Sequence, residues 1–369
     1  MINQSAVSEC AVNVREFIRA HSVVASRDEP GFERLALEIF ECQFIHNAAY
    51  RRFCESRHAT PGNIRDWRKI PAVPTVAFKE WDLSCLPAAE RAGVFHSSGS
   101  TGHRPSRHYH NADSLALYET SLLPWFQAHL LSADHEPLRW IMLTPSPDQV
   151  RHSSLAHMFG TAVRHFAGSD WVFTGELNAE GSWELDLPAT IRALEEASAS
   201  GRPVLLMGTA FNFVNLLDHL ERDDIRLSLP PGSRAMETGG YKGRSRALPK
   251  GELHAAIAEG LGLPPETIIS EYGMSELSSQ AYDHSYRARA ASPRVFRFPP
   301  WARAQIVSPE SGLEVGEGET GLIRVWDLAN VYSAMALQTE DVGVRRGDGF
   351  ELVGRAALAE QRGCSLMSA

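Results

Sequence analysis

The sequence predicts an α/β fold built on a largely parallel sheet, with a mostly helical N-terminal region and a β-rich closing segment. Three observations lead there. Between Ala112 and Ser270, short apolar runs alternate with helix-patterned segments, the rhythm of parallel strands joined by crossover helices. Upstream, apolar residues recur at helical spacing. From Val295 onward, short apolar segments are separated by Pro and Gly, which reads as a β-rich subdomain closing the core. The 369 residues show no repeat and no charged linker, so one integrated domain or two smaller ones are open. The expected organisation is a helical region over 1–90, a core over 91–355 and a short tail over 356–369.

Taken in order, Glu33 to Phe44 has helical spacing, and Asn47 to Cys54 extends or follows that helix. Two prolines in Ile70 to Lys79 break any helix and predict an extended connector. Val94-Phe95 ends a strand, and Ala112 to Leu131 is a helix. Strands are expected at Leu138–Thr144, Asp170–Thr174, Val204–Met207 and Thr267–Ser270. The intervening helices are expected at Ser153–Phe166, Pro188–Ala199, Phe211–Glu221 and Leu253–Glu259. In such sheets, ligands bind at loops on the carboxyl ends of strands.

Composition narrows the function classes. With 43% hydrophobic and 22% charged residues, the chain reads as an ordinary soluble protein. A net charge of −9 argues against broad binding to nucleic acid or anionic membrane. No secretory signal precedes Phe17, and no apolar run reaches the roughly 20 residues of a membrane span. Cys10, Cys42, Cys54, Cys85 and Cys364 are scattered and odd in number, as in a reduced, cytoplasmic protein. His96, His103, His108 and His110 crowd one region, and His152 and His157 another, without metal-site spacing. None of them is assigned as a metal ligand.

Five short stretches carry the chemistry. His96 to His108 holds Ser97, Ser98, Gly99, Ser100, Thr101 and Gly102, with Arg104 and Arg107 close behind. Glycines let backbone N–H groups approach an anion, hydroxyls add donors, and guanidiniums grip phosphate in a fork. The Gly-Lys-Ser/Thr ending of a Walker A loop and the G-x-G-x-x-G spacing of a dinucleotide fold are both missing. Glu237-Thr-Gly-Gly-Tyr-Lys-Gly243 supplies Gly239 and Gly240, against which a flat ring can lie. In Glu271-Tyr-Gly-Met-Ser-Glu276, Tyr272 with Gly273 offers a stacking face. There Ser275 offers a donor and Glu276 a hard oxygen ligand for Mg²⁺. Gln338-Thr-Glu-Asp341 and Gly354-Arg355 complete the set.

These strings, in this order, resemble the motifs of adenylate-forming enzymes. Within that superfamily the chain is similar to acyl-protein synthetases of the LuxE type. The matching stretches are Ile70-Pro-Ala-Val-Pro-Thr, the His96 to His108 loop, Glu237 to Gly243, Gln338 to Asp341, and Arg355 through Arg362-Gly-Cys-Ser-Leu-Met367. The resemblance implies the large-domain fold of adenylate-forming enzymes. Those enzymes continue past the Gly-Arg hinge into a mobile domain of about a hundred residues; here 14 residues follow Arg355. A truncated C-terminal domain is therefore expected.

The resemblance also implies a reaction and its parts. A carboxylic acid would attack the α-phosphorus of ATP to give acyl-AMP and pyrophosphate, with Mg²⁺ held at Glu276. Ser97 to Gly102 would hold the terminal phosphates, and Arg104 or Arg107 would replace the family's loop lysine. Adenine would lie on Gly239, Gly240, Tyr272 and Gly273, Ser275 would bond phosphate, Asp341 the ribose, and Arg355 the nucleotide. Cys364 would take the acyl group and pass it to a partner protein or small thiol, in a possible hetero-complex. A ligase acting directly on coenzyme A, an amine or a carrier protein stays open, as does a nucleotide-binding subunit without catalysis. Identity of the acid is not legible.

Overall fold

The computed structural model describes residues 4–22, 27–97, 104–131, 137–240, 248–284 and 294–356. They fall into two compact units. One takes in described residues of Met1–Trp125, Met274–Ala281 and Val295–Ala369; the other takes in those of Phe126–Gly273 and Tyr282–Arg294. The sequence-expected helical N-terminal region thus belongs to the same unit as the β-rich segment.

The first unit opens with α1 (Gln4–His21), α2 (Glu29–His46) and α3 (Ala48–Glu55). Asp28 caps α2 by accepting from the Gly31 N–H at 3.0 Å. Asn47 ends α2 and begins α3, its side chain accepting from Tyr50 N–H at 3.0 Å. That shared cap is why residues 48–55 follow the helix rather than extend it. Phe32, Leu35, Ile39 and Phe40 form the buried stripe of α2. From the same helix the buried Gln43 donates to Asn330 O at 2.7 Å and accepts from Met335 N–H at 3.0 Å. Next come β1 (Val73–Pro74), α4 (Ala77–Glu80), β2 (Gly93–His96), β3 (Arg107–His110) and α5 (Ala112–Leu130), of which the residues up to Trp125 belong to this unit.

In the second unit the chain runs β4 (Arg139–Met142), α6 (Ser154–Phe166), β5 (Trp171–Phe173), β6 (Gly175–Leu177), β7 (Trp183–Leu185) and α7 (Leu187–Ser200). It continues with β8 (Val204–Thr209), α8 (Ala210–Arg222), β9 (Arg234–Thr238), α9 (Lys250–Leu261) and β10 (Ile268–Tyr272). β10, β9, β8, β4 and β5 lie side by side in that order, all parallel. Successive connections step off opposite sides of β4, so the winding reverses between β4 and β8. Alternation along β4 serves both faces of the sheet. Ile141 belongs to the buried apolar cluster that includes Leu194, Phe213 and Ile257 of α7, α8 and α9, while the Trp140 ring stacks at 5.9 Å on Phe126. Every residue of β8, β9 and β10 is buried, as a sheet covered on both faces requires.

β9 has no counterpart among the sequence-expected strands. Arg234-Ala-Met-Glu-Thr238 is polar at three of five positions, yet fully buried, because each polar side chain has a built-in partner. Arg234, for instance, donates to Leu130 O at 3.1 Å and Gly232 O at 3.2 Å.

A short strand β11 (Ala281–Tyr282) precedes the closing sheet of the first unit, which comprises β12 (Ala302–Val307), β13 (Thr320–Asp327), β14 (Ala336–Arg346) and β15 (Gly349–Arg355). β12, β13 and β14 are antiparallel neighbours, and β15 folds back on β14. The expected extended connector at residues 70–79 is more than that. Val73 and Pro74 pair in parallel with Leu337 and Gln338, and Thr75 N–H donates to Gln338 O at 3.0 Å. Proline is tolerated because this strand sits at an edge, where its missing N–H leaves no ladder bond broken. The same stretch then turns into α4.

Candidate active site

The hairpin of β2 and β3 brackets the first motif, with His96 opposite Arg107 and Phe95 opposite His108. Ser98, Gly99, Ser100, Thr101 and Gly102 lie outside the described residues, but both shoulders of their loop are defined. Ser97 N–H donates to Ser106 Oγ at 3.2 Å, and Ser106 N–H returns the bond to Ser97 Oγ at 3.0 Å. Ser106 Oγ in turn lies 3.3 Å from Ser275 Oγ, and Ser275 Oγ donates to Glu276 Oε2 at 3.0 Å. A hydroxyl carries one proton. Since that of Ser275 goes to the carboxylate, Ser106 must supply the hydrogen between the two serines. The result is a directed chain from the loop shoulder to Glu276: Ser97 N–H, Ser106 O–H, Ser275 O–H, carboxylate.

The backbone under Glu276 is held separately. Asn330 Nδ2 donates to Glu276 O at 2.8 Å. The buried Asp327 carboxylate accepts from Ser278 N–H at 2.9 Å, Ser279 N–H at 2.8 Å and Ser279 Oγ at 2.7 Å. On the other flank His108 Nδ1 meets Ser275 O at 2.8 Å. A Glu276 oxygen, beside the Ser275 hydroxyl, suits Mg²⁺, which is commonly held by one or two carboxylates, substrate phosphates and water. Among the described residues no group of three or more His, Cys, Asp or Glu converges as a ligand set, so a metal here would lean on Glu276 and phosphate oxygens.

The two candidate arginines part company. Strand alternation buries Ser106, His108 and His110 on one side of β3 and turns Arg107 the other way. There Arg107 lies 3.3 Å from Asp82, which also pairs with Arg91 at 3.0 Å. Arg104, just past the loop, is exposed. On the closing sheet, β14 and β15 bring the fourth and fifth motifs together: Asp341 and Arg355 are register partners, with Arg355 Nε 3.8 Å from the Asp341 carboxylate. Thr339 Oγ1 accepts from Asp341 N–H at 3.1 Å and donates to Ile323 O at 2.8 Å, fixing the strand under Asp341.

In the second unit, β9 ends on Thr238 and is followed by Gly239, whose φ of +72° is a conformation that favours glycine. Gly239, Gly240 and Gly273 are exposed, and Tyr272 is buried at the end of β10. Two clamps fix this strand end. On one face of the sheet, Glu237 accepts from Lys250 at 2.9 Å, from Ser270 Oγ, and meets His254 Nε2 at 3.1 Å. On the other face, Thr238 Oγ1 donates to the buried Glu271. Burial works against ionisation of Glu237, but Lys250, His254 and Ser270 prevail and hold it down at about 2. For Glu271 the balance tips the other way: burial, with the Glu237 charge, pushes it up to about 7 against the Thr238 hydrogen bond and the Lys250 charge.

That asymmetry has a measurable sign. A carboxyl raised in the folded state binds its proton more tightly there, so its contribution is complete below the unfolded value of 4.5 and fades as pH climbs through about 7. Glu237, held ionised in the fold, adds only a small opposite slope at the acid end of this window, and it is shared by wild type and variant. Glu271→Gln keeps an acceptor for Thr238 and removes the titration. Urea denaturation at pH 5 and pH 8 is expected to show wild type losing on the order of 1–3 kcal/mol more than the variant, since each tenfold gain in proton affinity is worth about 1.4 kcal/mol.

This geometry has relatives among known proteins. The profile of the family described as acyl-protein synthetase, LuxE, matches residues 18–369. The chain belongs to that family. As a LuxE-family protein it is an enzyme, an acyl-activating ligase. Two similar proteins are long-chain-fatty-acid–luciferin-component ligases. That of Aliivibrio fischeri is 20% identical, over 91% of this chain and 87% of its own length. That of Vibrio harveyi is 23% identical, over 90% and 86%. Among solved structures, 2-hydroxyisobutyryl-CoA ligase with 2-HIB-AMP and CoA aligns with a TM-score of 0.63 at 13% identity, over 89% of this chain and 69% of that one. MatB from Rhodopseudomonas palustris, solved with ATP bound, is a looser likeness. Its TM-score is 0.48 at 16% identity, over 73% of this chain and about half, 49%, of that one.

The acyl acceptor candidate of this LuxE-family chain, Cys364, lies outside the described residues. Cys10, Cys42, Cys54 and Cys85 are buried. Burial pushes the Cys54 and Cys85 thiols up to about 12, which leaves them inert as nucleophiles. No described helix is long and apolar enough to cross a membrane.

Proposed function

We propose that this LuxE-family enzyme activates a long-chain fatty acid with ATP and stores the acyl group on Cys364 before passing it to a partner protein, as part of a hetero-complex. The hydroxyl chain from the Ser97 shoulder to Glu276 is the observation that carries this reading. It ties a Gly/Ser phosphate loop to a hard carboxylate, which is what in-line displacement at phosphorus needs. Residues 91–355 form the adenylation core in this reading, and 356–369 the acceptor tail.

In the first step a carboxylate oxygen bonds to the α-phosphorus as the α–β bridging bond breaks and pyrophosphate leaves. Ser97 to Gly102 hold the β- and γ-phosphates. Gly239, Gly240, Tyr272 and Gly273 receive adenine, Asp341 the ribose hydroxyls, and Arg355 reaches the nucleotide beside Asp341. When bound at Glu276, Mg²⁺ supplies charge to the departing pyrophosphate. In the second step the Cys364 thiolate attacks the acyl carbon and AMP leaves.

The test is carboxylate-dependent ATP–pyrophosphate exchange across fatty, aryl and amino acids. Exchange confined to long-chain acids supports the reading; exchange with another acid class, or none, overturns the substrate assignment. The same assay separates the arginines. Arg107 is paired with Asp82 on the far side of β3, so Arg104 is assigned the place of the loop lysine. Arg104→Ala is expected to slow exchange by about 10²-fold, the scale of losing one charge-stabilising donor, and Arg107→Ala by far less. Equal losses would return the role to both.

A further inference from the structure

From the contact between His108 and Ser275 we infer that His108 is a positioning residue for the Ser275–Glu276 turn, acting through its Nδ1–H. The inference rests on the reading of Glu276 above and adds a residue to it. His108 sits on β3 with 2% of its surface exposed, and its Nδ1 lies 2.8 Å from the Ser275 carbonyl. A carbonyl oxygen only accepts, so Nδ1 carries the proton and Nε2 does not, if the ring is neutral. Neutrality follows from the surroundings. The ring lies in a packed interior, 4.3 Å from His110 and 6.1 Å from Phe78 between centroids. Burial holds its pKa down at about 4, against the pull of the carbonyl.

The geometry explains why one bond suffices. Ser275 is approached from two directions by one stretch of chain: Ser106, just before β3, engages its side chain and His108, two residues on in β3, its carbonyl. Residues i and i+2 of a strand share a face. Residues 106–108 therefore grip the turn at both ends of one residue, and the peptide linking Ser275 to Glu276 has its orientation set by the histidine. Asn330 then holds the next carbonyl, that of Glu276, at 2.8 Å. Losing the His108 bond frees that peptide to rotate and carries the Glu276 carboxylate with it, while leaving every other contact of the carboxylate chemically intact. Partners standing behind a metal ligand in this way tune affinity more than they create it.

Isosteres provide the test, because Asn places an N–H where Nδ1 is and Gln places one where Nε2 is. In His108→Gln and His108→Ala the half-saturating Mg²⁺ for exchange is expected to rise about 10–100-fold, with His108→Asn within about threefold of wild type. The KM of the acid should not move. Equal damage from Asn and Gln, or none from either, overturns the inference. Thermal melting of all three variants separates misfolding from misplacement, and a melt of His108→Asn matching wild type makes its kinetics interpretable. An independent readout needs neither metal nor turnover. Histidine-selective ¹⁵N NMR of the metal-free protein, assigned by the His108→Asn spectrum, should show a neutral ring with Nδ1–H at pH 7; an Nε2–H tautomer or a charged ring overturns the assignment. Glu276→Ala keeps the two readings apart. If it abolishes exchange while His108→Gln behaves as wild type, only the positioning role falls. If it leaves exchange intact, Glu276 loses its role and His108 with it.

Discussion

Glu276→Ala is expected to reduce carboxylate-dependent ATP–pyrophosphate exchange by at least about 10³-fold, roughly 4 kcal/mol of transition-state stabilisation. The effect is large because the reaction expels a highly charged leaving group. In the transition state negative charge builds on the bridging oxygen, and a cation held nearby stabilises it far more than it stabilises bound ATP. Without the carboxylate, the described part of the site offers hydroxyls but no anionic oxygen at the end of the Ser97–Ser106–Ser275 chain. The fold should survive. The turn is held through backbone groups, by Asn330 on the Glu276 carbonyl and by Asp327 on the N–H groups of Ser278 and Ser279. Glu276→Gln makes the sharper control, since it keeps an acceptor for Ser275 and removes only the charge. Both variants should melt near wild type and both should be inactive. Exchange by Glu276→Gln within tenfold of wild type, about 1.4 kcal/mol, would show that the charge is not what the carboxylate supplies.

Legibility from sequence tracked how each element earns its burial. The strands of the second unit were readable where apolar runs do the packing, as in Val204 to Met207, and unreadable in β9, where Arg234 and Glu237 are buried by virtue of specific partners on other elements. No local pattern announces a partner 104 or 13 positions away. Pairing of Val73-Pro74 with β14 was hidden for the same reason: two residues form a strand only because Leu337 and Gln338 present an edge. Motifs fared better than side-chain directions. Asp341 and Arg355, named from separate strings, are register partners. Arg104 and Arg107 looked equivalent as neighbours of a phosphate loop, and strand alternation separates them. The same alternation held the clue to His108. Once β3 is recognised, Ser106, His108 and His110 fall on one buried face, and a histidine two residues from a loop-shoulder serine stands out from a histidine-rich stretch.

Cys364→Ser should leave exchange within about twofold of wild type and lower the acyl label retained on the protein by at least about tenfold, because in the proposed scheme the first step does not use the thiol and the second depends on it. A cysteine is a few per cent thiolate near pH 7 and intrinsically nucleophilic, whereas a serine hydroxyl without an adjacent base is neither. The arrangement of the other cysteines sharpens the experiment. Cys10, Cys42, Cys54 and Cys85 are all buried, so acylation of an accessible thiol in the native protein points to Cys364 alone. Radiolabelled fatty acid with ATP and Mg²⁺, followed by denaturing electrophoresis, reads the label directly, and release by neutral hydroxylamine identifies a thioester. Arg362, two residues away in Arg362-Gly-Cys-Ser-Leu-Met367, gives a graded companion. In the proposed scheme a positive charge so near in sequence would favour the thiolate, so Arg362→Ala should slow labelling without touching exchange. The pair of measurements also discriminates among chemistries. Label lost with exchange retained makes Cys364 a relay between the adenylate and the final acceptor. Undiminished product from Cys364→Ser, with no acyl label on the protein, would mean that acyl-AMP hands its group straight to an external thiol or amine, leaving the core a ligase of a different acceptor class.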